Sequence, residues 1–346
     1  MAYSTISKPS LHFNTKLYTG NGGTQSITGI GHQPDLVWIK QRNGTEHHSL
    51  YDAVRGATKE IASNRSNVES TVATSLTGFD SDGFTLGSWT RTNNNSDTYA
   101  SWNWKANGAG SANTDGSINS TVSANTTAGF SIVKWTNGTS SVQTIGHGLG
   151  VAPKMIIMKV LGNSGSWNTY HESIGNTHGL YLNSTAAQED NAAFFNDTSP
   201  TSTVFTTGTN GNLVNNTLVA YCFAEIKGYS KFGNYTGNGN ANGTFVYTGF
   251  KPAWIMGKTS SHAGNWFMWD NKRPNEFNLV DSFLEADGNV VEYTNNANHS
   301  IDILSNGFKF RGGSGSNLSG RTAIYMAFAE EPLVANVGQG IPATAR

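Results

Sequence analysis

The amino-acid sequence predicts an all-β fold made of three tandem, diverged β-sandwich units of jelly-roll-like type, and three observations predict it. The chain has 346 residues, of which only 13% are charged, with 40 Gly, 9 Trp, 12 Tyr and 17 Phe. That balance suits short strands joined by many turns, with large rings filling small cores. A set of landmarks recurs three times in one order. Between them lie apolar runs of strand length, some continuous and some alternating, punctuated by Gly/Asn turns.

The repeat is read from spacing. Pro34 precedes Leu36-Val37-Trp38-Ile39, Pro153 precedes Met155-Ile156-Ile157-Met158, and Pro252 precedes Trp254-Ile255-Met256. A proline that opens a strand forfeits no ladder bond, having no N–H to donate. Lys40, Lys159 and Lys258 follow their prolines by six residues, and Tyr51, Tyr170 and Trp269 follow them by 17. A polar residue comes next in each case: Asp52, His171 and Asp270. Upstream, Tyr18, Trp135 and Tyr235 lead into Gly/Asn hairpin turns. Downstream, Phe84, Phe205 and Phe308 mark a further strand, and closing strands end on Trp104, Phe223 and Phe328. The continuous apolar runs imply strands covered on both faces.

These landmarks divide the chain into an N-terminal arm (1–10), a first unit (11–106), a linker (107–127), a second unit (128–226), a third unit (227–331) and a C-terminal arm (332–346). The linker is Gly/Ala/Ser/Asn/Thr-rich and almost free of apolar residues, which predicts a flexible or extended connector. Only residues 227–231 separate the second and third units. Those two are expected to pack together, with the first further off. Residues 52–66 and 184–190 could each hold a helical turn or two.

Net charge is −1 and no Lys/Arg cluster stands out, so nothing matches a nucleic-acid backbone. No apolar run reaches the roughly 18 residues of a membrane span, and Met1 to Phe13 lacks the basic and apolar regions of a secretion signal. The lone Cys222 excludes an intrachain disulfide and reads as a small packed hydrophobe.

Chemistry-bearing candidates resolve mostly into structure. Asp52 and Asp270 share a repeat position, but an acid/base pair must converge on one bond, and turn capping is the expected role. Asp80-Ser81-Asp82-Gly83 resembles the start of a calcium loop but has Arg91 where the twelfth-position acid belongs. His47-His48 would point to opposite faces of a strand and cannot chelate one ion. His32 and His147 read as hydrogen-bonded turn residues. No catalytic residue, metal site or cofactor is expected. The best binding hint is aromatic: Trp89, Trp102, Trp167, Trp266 and Tyr229 lie near Asn/Gly-rich turns, the combination a sugar-binding surface uses.

Five strings carry a resemblance: Trp102 to Gly110, Ile145 to Ile156, Val219 to Glu225, Gly228 to Gly233, and Pro342 to Arg346. Together with the landmarks they resemble a family of virion structural, tail-fibre-like proteins of tailed phages of marine bacteria. The resemblance implies a particle component, assembled in the host cytoplasm and located in the virion. Its implied partners are other virion proteins, further copies of itself in a homo-oligomer (by analogy with phage fibres, a trimer), and a host-surface glycan. The leading expectation is a tail fibre or spike component in host adhesion. The alternative is a capsid decoration protein bridging capsomers. A polysaccharide-degrading spike ranks below both, because the repeat is about 100 residues, far above the coil length of a solenoid.

Overall fold

A computed structural model describes residues 4–139, 142–208, 210–273 and 278–333. The fold is all-β, with antiparallel sheets and a few single-turn helices. One strand order appears three times. In the first unit it is an opening strand (Phe13–Thr19), a closing strand (Thr98–Trp104), a Pro strand (Leu36–Gln41) and an aromatic strand (Ser49–Asp52). The second unit repeats it with Phe130–Thr136, Thr217–Phe223, Met155–Val160 and Asn168–His171. The third does so with Ser230–Thr236, Thr322–Pro332, Phe250–Thr259 and Trp266–Asp270. A smaller sheet packs on each: Gln25–Thr28 with Gly83–Leu86 and Leu76–Asp80, then Gln143–Gly146 with Val204–Thr207, then Phe245–Tyr247 with Gly307–Phe310 and Ile301–Leu304.

The residues explain the strands. Pro34 and Pro153 stand just before theirs, as expected. Pro252 lies inside its strand, where the register shifts on both sides of it. A bulge there absorbs the missing N–H. Gly83 and Gly307 begin matching strands because a Cβ on either would meet the carbonyl oxygen of Ile27 at 1.8 Å or of Val246 at 2.1 Å.

Both faces of each Pro strand are buried, and alternation assigns them to different cores. Val37 and Ile39, Ile156 and Met158, and Ile255 face their own small sheets. Leu36 and Trp38, Met155 and Ile157, and Trp254 and Met256 face one core shared by all three units. At its centre the last closing-strand aromatics meet. Ring centroids are 6.3 Å apart for Trp104–Phe223, 5.7 Å for Trp104–Phe328 and 5.9 Å for Phe223–Phe328. Matched residues at near-equal spacing define a pseudo-threefold axis through one chain. Burying a Trp withdraws up to roughly 250 Å2, about 4–6 kcal/mol before entropic costs.

Several expectations are corrected. The first unit is not set apart: Phe13, Trp38 and Trp104 are as much part of the shared core as Tyr221 and Phe328. A shared core of this size is what lets small sandwiches close both faces. The linker is not a loose connector, since Ser111–Asn113 and Ser120–Asn125 pair and extend the second unit's main sheet to eight strands. Backbone pairing, which composition does not report, holds it. Within the N-terminal arm Ile6 and Pro9 are buried, and Ile6 joins the shared core. Residues 52–66 and 184–190 hold turns and two-residue strands, whereas single helical turns form at Thr90–Asn93 and Ala192–Phe195. Of the C-terminal arm, residues 334–346 lie outside the described residues.

Candidate functional site

The chemistry-bearing residues gather at three joints, where the aromatic strand of one unit meets the closing strand of the next. At the first, the Tyr221 hydroxyl donates to Asp52 Oδ2 at 2.8 Å. Arg55, three residues beyond Asp52, forms an ion pair with it and with Glu69 (3.2 Å), and donates to the Leu50 carbonyl at 2.9 Å. At the joint of the third unit with the first, Trp102 Nε1 donates to Asp270 Oδ2 at 3.0 Å. Arg273 there pairs with Asp270 at 2.6 Å and Glu292 at 3.0 Å, and donates to the Met268 carbonyl at 2.7 Å. The carboxylate and arginine bonds match in the two arrangements, with a tyrosine hydroxyl as cross-unit donor at one joint and an indole N–H at the other.

The second joint is built differently. Ser173 N–H donates to His171 Nδ1 at 3.1 Å, which leaves Nε2 protonated and facing the Tyr325 carbonyl oxygen at 3.1 Å. Burial pushes His171 down to about 4, so the ring is neutral. Burial also opposes the charge on Asp270, but the Arg273 guanidinium and the hydrogen bonds it receives hold that carboxyl below its usual range. Arg273 moves upward because Asp270 and Glu292 outweigh its own desolvation.

A second set of equivalent bonds closes the ring. His48, Trp167 and Trp266 each lie 14 residues after the unit's proline. Trp167 Nε1 donates to the Ala62 carbonyl at 2.9 Å, and Trp266 Nε1 to the Tyr181 carbonyl at 2.9 Å. His48 Nε2 faces the Glu285 carbonyl at 2.9 Å, and its Nδ1 accepts from Trp38 Nε1 at 2.8 Å. Each acceptor belongs to the preceding unit, and unit one reaches back to unit three. The three spaced lysines also lie buried. Lys40 donates to the Gln41 and Gly44 carbonyls at 2.6 and 3.0 Å, Lys159 to those of Val160 and Ser66 at 2.6 and 3.4 Å, and Lys258 to those of Gly264 and Thr185 at 2.5 and 3.2 Å. Burial presses all three down to about 8.

Residues 8–332 match the model of a family described as a domain of unknown function, DUF7483. The chain belongs to that family. No curated protein and no solved structure matches. The family's span in this DUF7483 member covers all three units, so the matched module is the closed ring and not one sandwich.

Four of the five aromatics expected at a binding surface are interior. Trp102, Trp167, Trp266 and Tyr229 are at most 1% exposed, and the first three are joint donors. Their Asn/Gly-rich neighbours are turns at the ends of buried strands, a context that composition alone renders as surface. Trp89 is half-buried under the Arg91 guanidinium, 4.6 Å from its ring centre. Asp52 and Asp270 sit at separate joints, each locked to an arginine. Asp82 accepts from the Gly29 and Gly31 amides at 3.0 and 2.6 Å, and Asp80 from the Thr85 hydroxyl at 2.7 Å, as turn residues do. His32 and His147 make the expected turn bonds to the Ser10 and Thr201 carbonyls at 3.1 Å. Among the described residues no group of three or more His, Cys, Asp or Glu is placed to hold a metal ion. Sequence reasoning missed Arg55 and Arg273. The available signal was an Asp-x-x-Arg pattern in units one and three, replaced in unit two by His171 and Ile174.

Proposed function

We propose that this chain is a structural component of a phage particle that contacts the host surface, with the ring as scaffold and its outer faces as the contact. One observation carries the reading: the units keep the same interior chemistry and diverge outside. On the small sheets, Ser26 and Thr28 of the first unit correspond by register to Thr144 and Gly146 of the second and to Phe245 and Tyr247 of the third. Phe245 is 44% and Tyr247 54% exposed. Gly146 is buried beneath Asn113, but Ser26 and Thr28 are exposed, and the first unit keeps its sheet with hydroxyls at these places. Adjacent exposed rings on a rigid strand are what adhesion uses. The five strings resembling virion proteins support a particle setting.

The test is binding of the purified chain to cells of the phage's host, with Phe245→Ser and Tyr247→Thr, the first unit's residues, introduced together. Cell binding that falls several-fold at unchanged melting temperature is the expected result. No binding by the parent chain, or full binding by the variant, overturns the reading. The pseudo-threefold axis favours a second reading, a capsid decoration seated at a local threefold position. Immunogold labelling of virions separates the two: label at the tail tip supports adhesion, label over the capsid supports decoration.

A further inference from the structure

The second unit holds a polar pocket beside its aromatic strand. Its volume is about 110 Å3, with Ser166, Asn168, Asn210 and Asn212 supplying polar groups and Tyr181 and Phe194 supplying rings. Asn168 is 5% exposed, lines the pocket, and makes no side-chain hydrogen bond within the described residues. An amide with unused donors and acceptors pairs with whatever occupies the pocket, water or ligand. The sister units place no such amide here. The first has Ser49 at this position, near Glu60 Oε1 at 3.5 Å, and the third has Phe267 packed in its apolar core. Among the described residues no charged side chain lines the pocket. Glu189 accepts from the Tyr181 hydroxyl at 2.5 Å, which leaves the hydroxyl oxygen's lone pairs available.

We propose that this pocket binds the terminal, uncharged sugar residue of a glycan. Amides pair with neighbouring hydroxyls as donor and acceptor at once, and the half-buried ring of Tyr181 suits the C–H face of a pyranose. The volume is below the roughly 300–1,000 Å3 of sites that enclose a drug-sized ligand, so a chain end enters and an internal segment does not. The neutral lining selects against uronates and sialic acids. The inference rests on the adhesion reading for its biological setting but has its own test.

Galactose, glucose, mannose and N-acetylglucosamine are titrated into the full chain and followed by saturation-transfer NMR. At least one is expected to bind with millimolar affinity. Asn168→Ser, the first unit's residue, is expected to weaken that binding about tenfold. Asn212→Ala, on the exposed rim and remote from the core, should weaken it several-fold and guards against misfolding of the first variant. Silence from all four sugars, or binding indifferent to both variants, overturns the proposal. Cell adhesion measured on the same proteins separates the two ideas. Adhesion unaffected by Asn168→Ser, with sugar binding likewise unaffected, removes the pocket and leaves the adhesive surface. Sugar binding lost in Asn168→Ser by a chain that never adheres to cells keeps the pocket and removes the adhesion reading.

Discussion

At the joint between the first and second units a buried carboxylate, held by Arg55, faces a tyrosine hydroxyl. At the joint between the second and third a buried imidazole faces a backbone carbonyl. The positions are equivalent, Asp52 and His171 each directly following an aromatic at the same distance from its proline. The difference teaches that the ring needs a polar link here and not a charge. The carboxylate version requires a full retinue, because an ion leaves water only when paired and hydrogen-bonded on all sides: Asp270 has Arg273, Trp102 and two backbone amides, at Lys272 and Arg273. The imidazole version requires only that the ring stay neutral. One joint type is therefore vulnerable to loss of a partner and the other to acid.

The largest effect should come from removing that retinue. Arg273→Ala leaves Asp270 and Glu292 without their shared cation, and a stability loss of about 3–5 kcal/mol is expected from urea unfolding at neutral pH. Arg55→Ala should behave alike at the first joint. Replacing both ions, as in Asp270→Asn with Arg273→Met, should cost less than Arg273→Ala alone, since no uncompensated charge remains. If the double variant proved the weaker, the ion pair would be contributing net stability and the comparison would need recasting.

Acid probes the other joint type. His171 is held at about 4 in the folded chain by burial, against an ordinary value of 6.5. The unfolded chain takes up the proton first as pH falls, so the stability tied to this ring is complete above 6.5 and drains away toward 4. At most about 3 kcal/mol is involved. His48 shifts in the same direction, its Nδ1 already receiving the Trp38 N–H, so protonation there would set two donors against each other. Unfolding free energies at pH 7 and pH 5 should show the slope, and His171→Gln should reduce it while leaving Arg273→Ala as damaging as before. An unchanged slope would exclude His171 as its source.

These variants also mark how far the sequence could be read. The three-unit organisation was legible because prolines, lysines and aromatics recur at fixed distances, and spacing survives divergence. The two-faced burial of Leu36 to Ile39 and of Met155 to Met158 was legible too, since continuous apolar strands need cover on both sides. What covered the second face was not. A lone sandwich and a ring of three share the same pattern, and it is cross-unit contacts such as those of Tyr221, Trp102 and Tyr325 that distinguish them. Trp102, Trp167 and Trp266 looked like surface for the same reason: their N–H partners lie 168, 105 and 85 residues away in sequence. Pairing of the linker strands through backbone groups leaves no compositional trace. The Asn168 pocket was equally hidden, since its walls come from four separate segments.

The smallest effect sharpens the contrast from the side of unit two. Its aromatic strand is followed by Glu172, paired with Lys154, and these side chains are 54% and 32% exposed. They lie next to His171 in sequence, where the first and third joints bring buried ions. Exposed pairs gain little Coulomb energy in water and lose side-chain freedom to form, so Lys154→Ala should change stability by no more than about 0.5 kcal/mol. The change should shrink further in molar salt, where screening shortens the reach of surface charge to about 3 Å. Arg273→Ala should keep most of its cost under the same salt, because ions do not enter the buried joint. Salt dependence thus separates charges that hold the ring together from charges that merely decorate it, and a Lys154 variant as costly as the Arg273 one would place the surface pair within the joint after all.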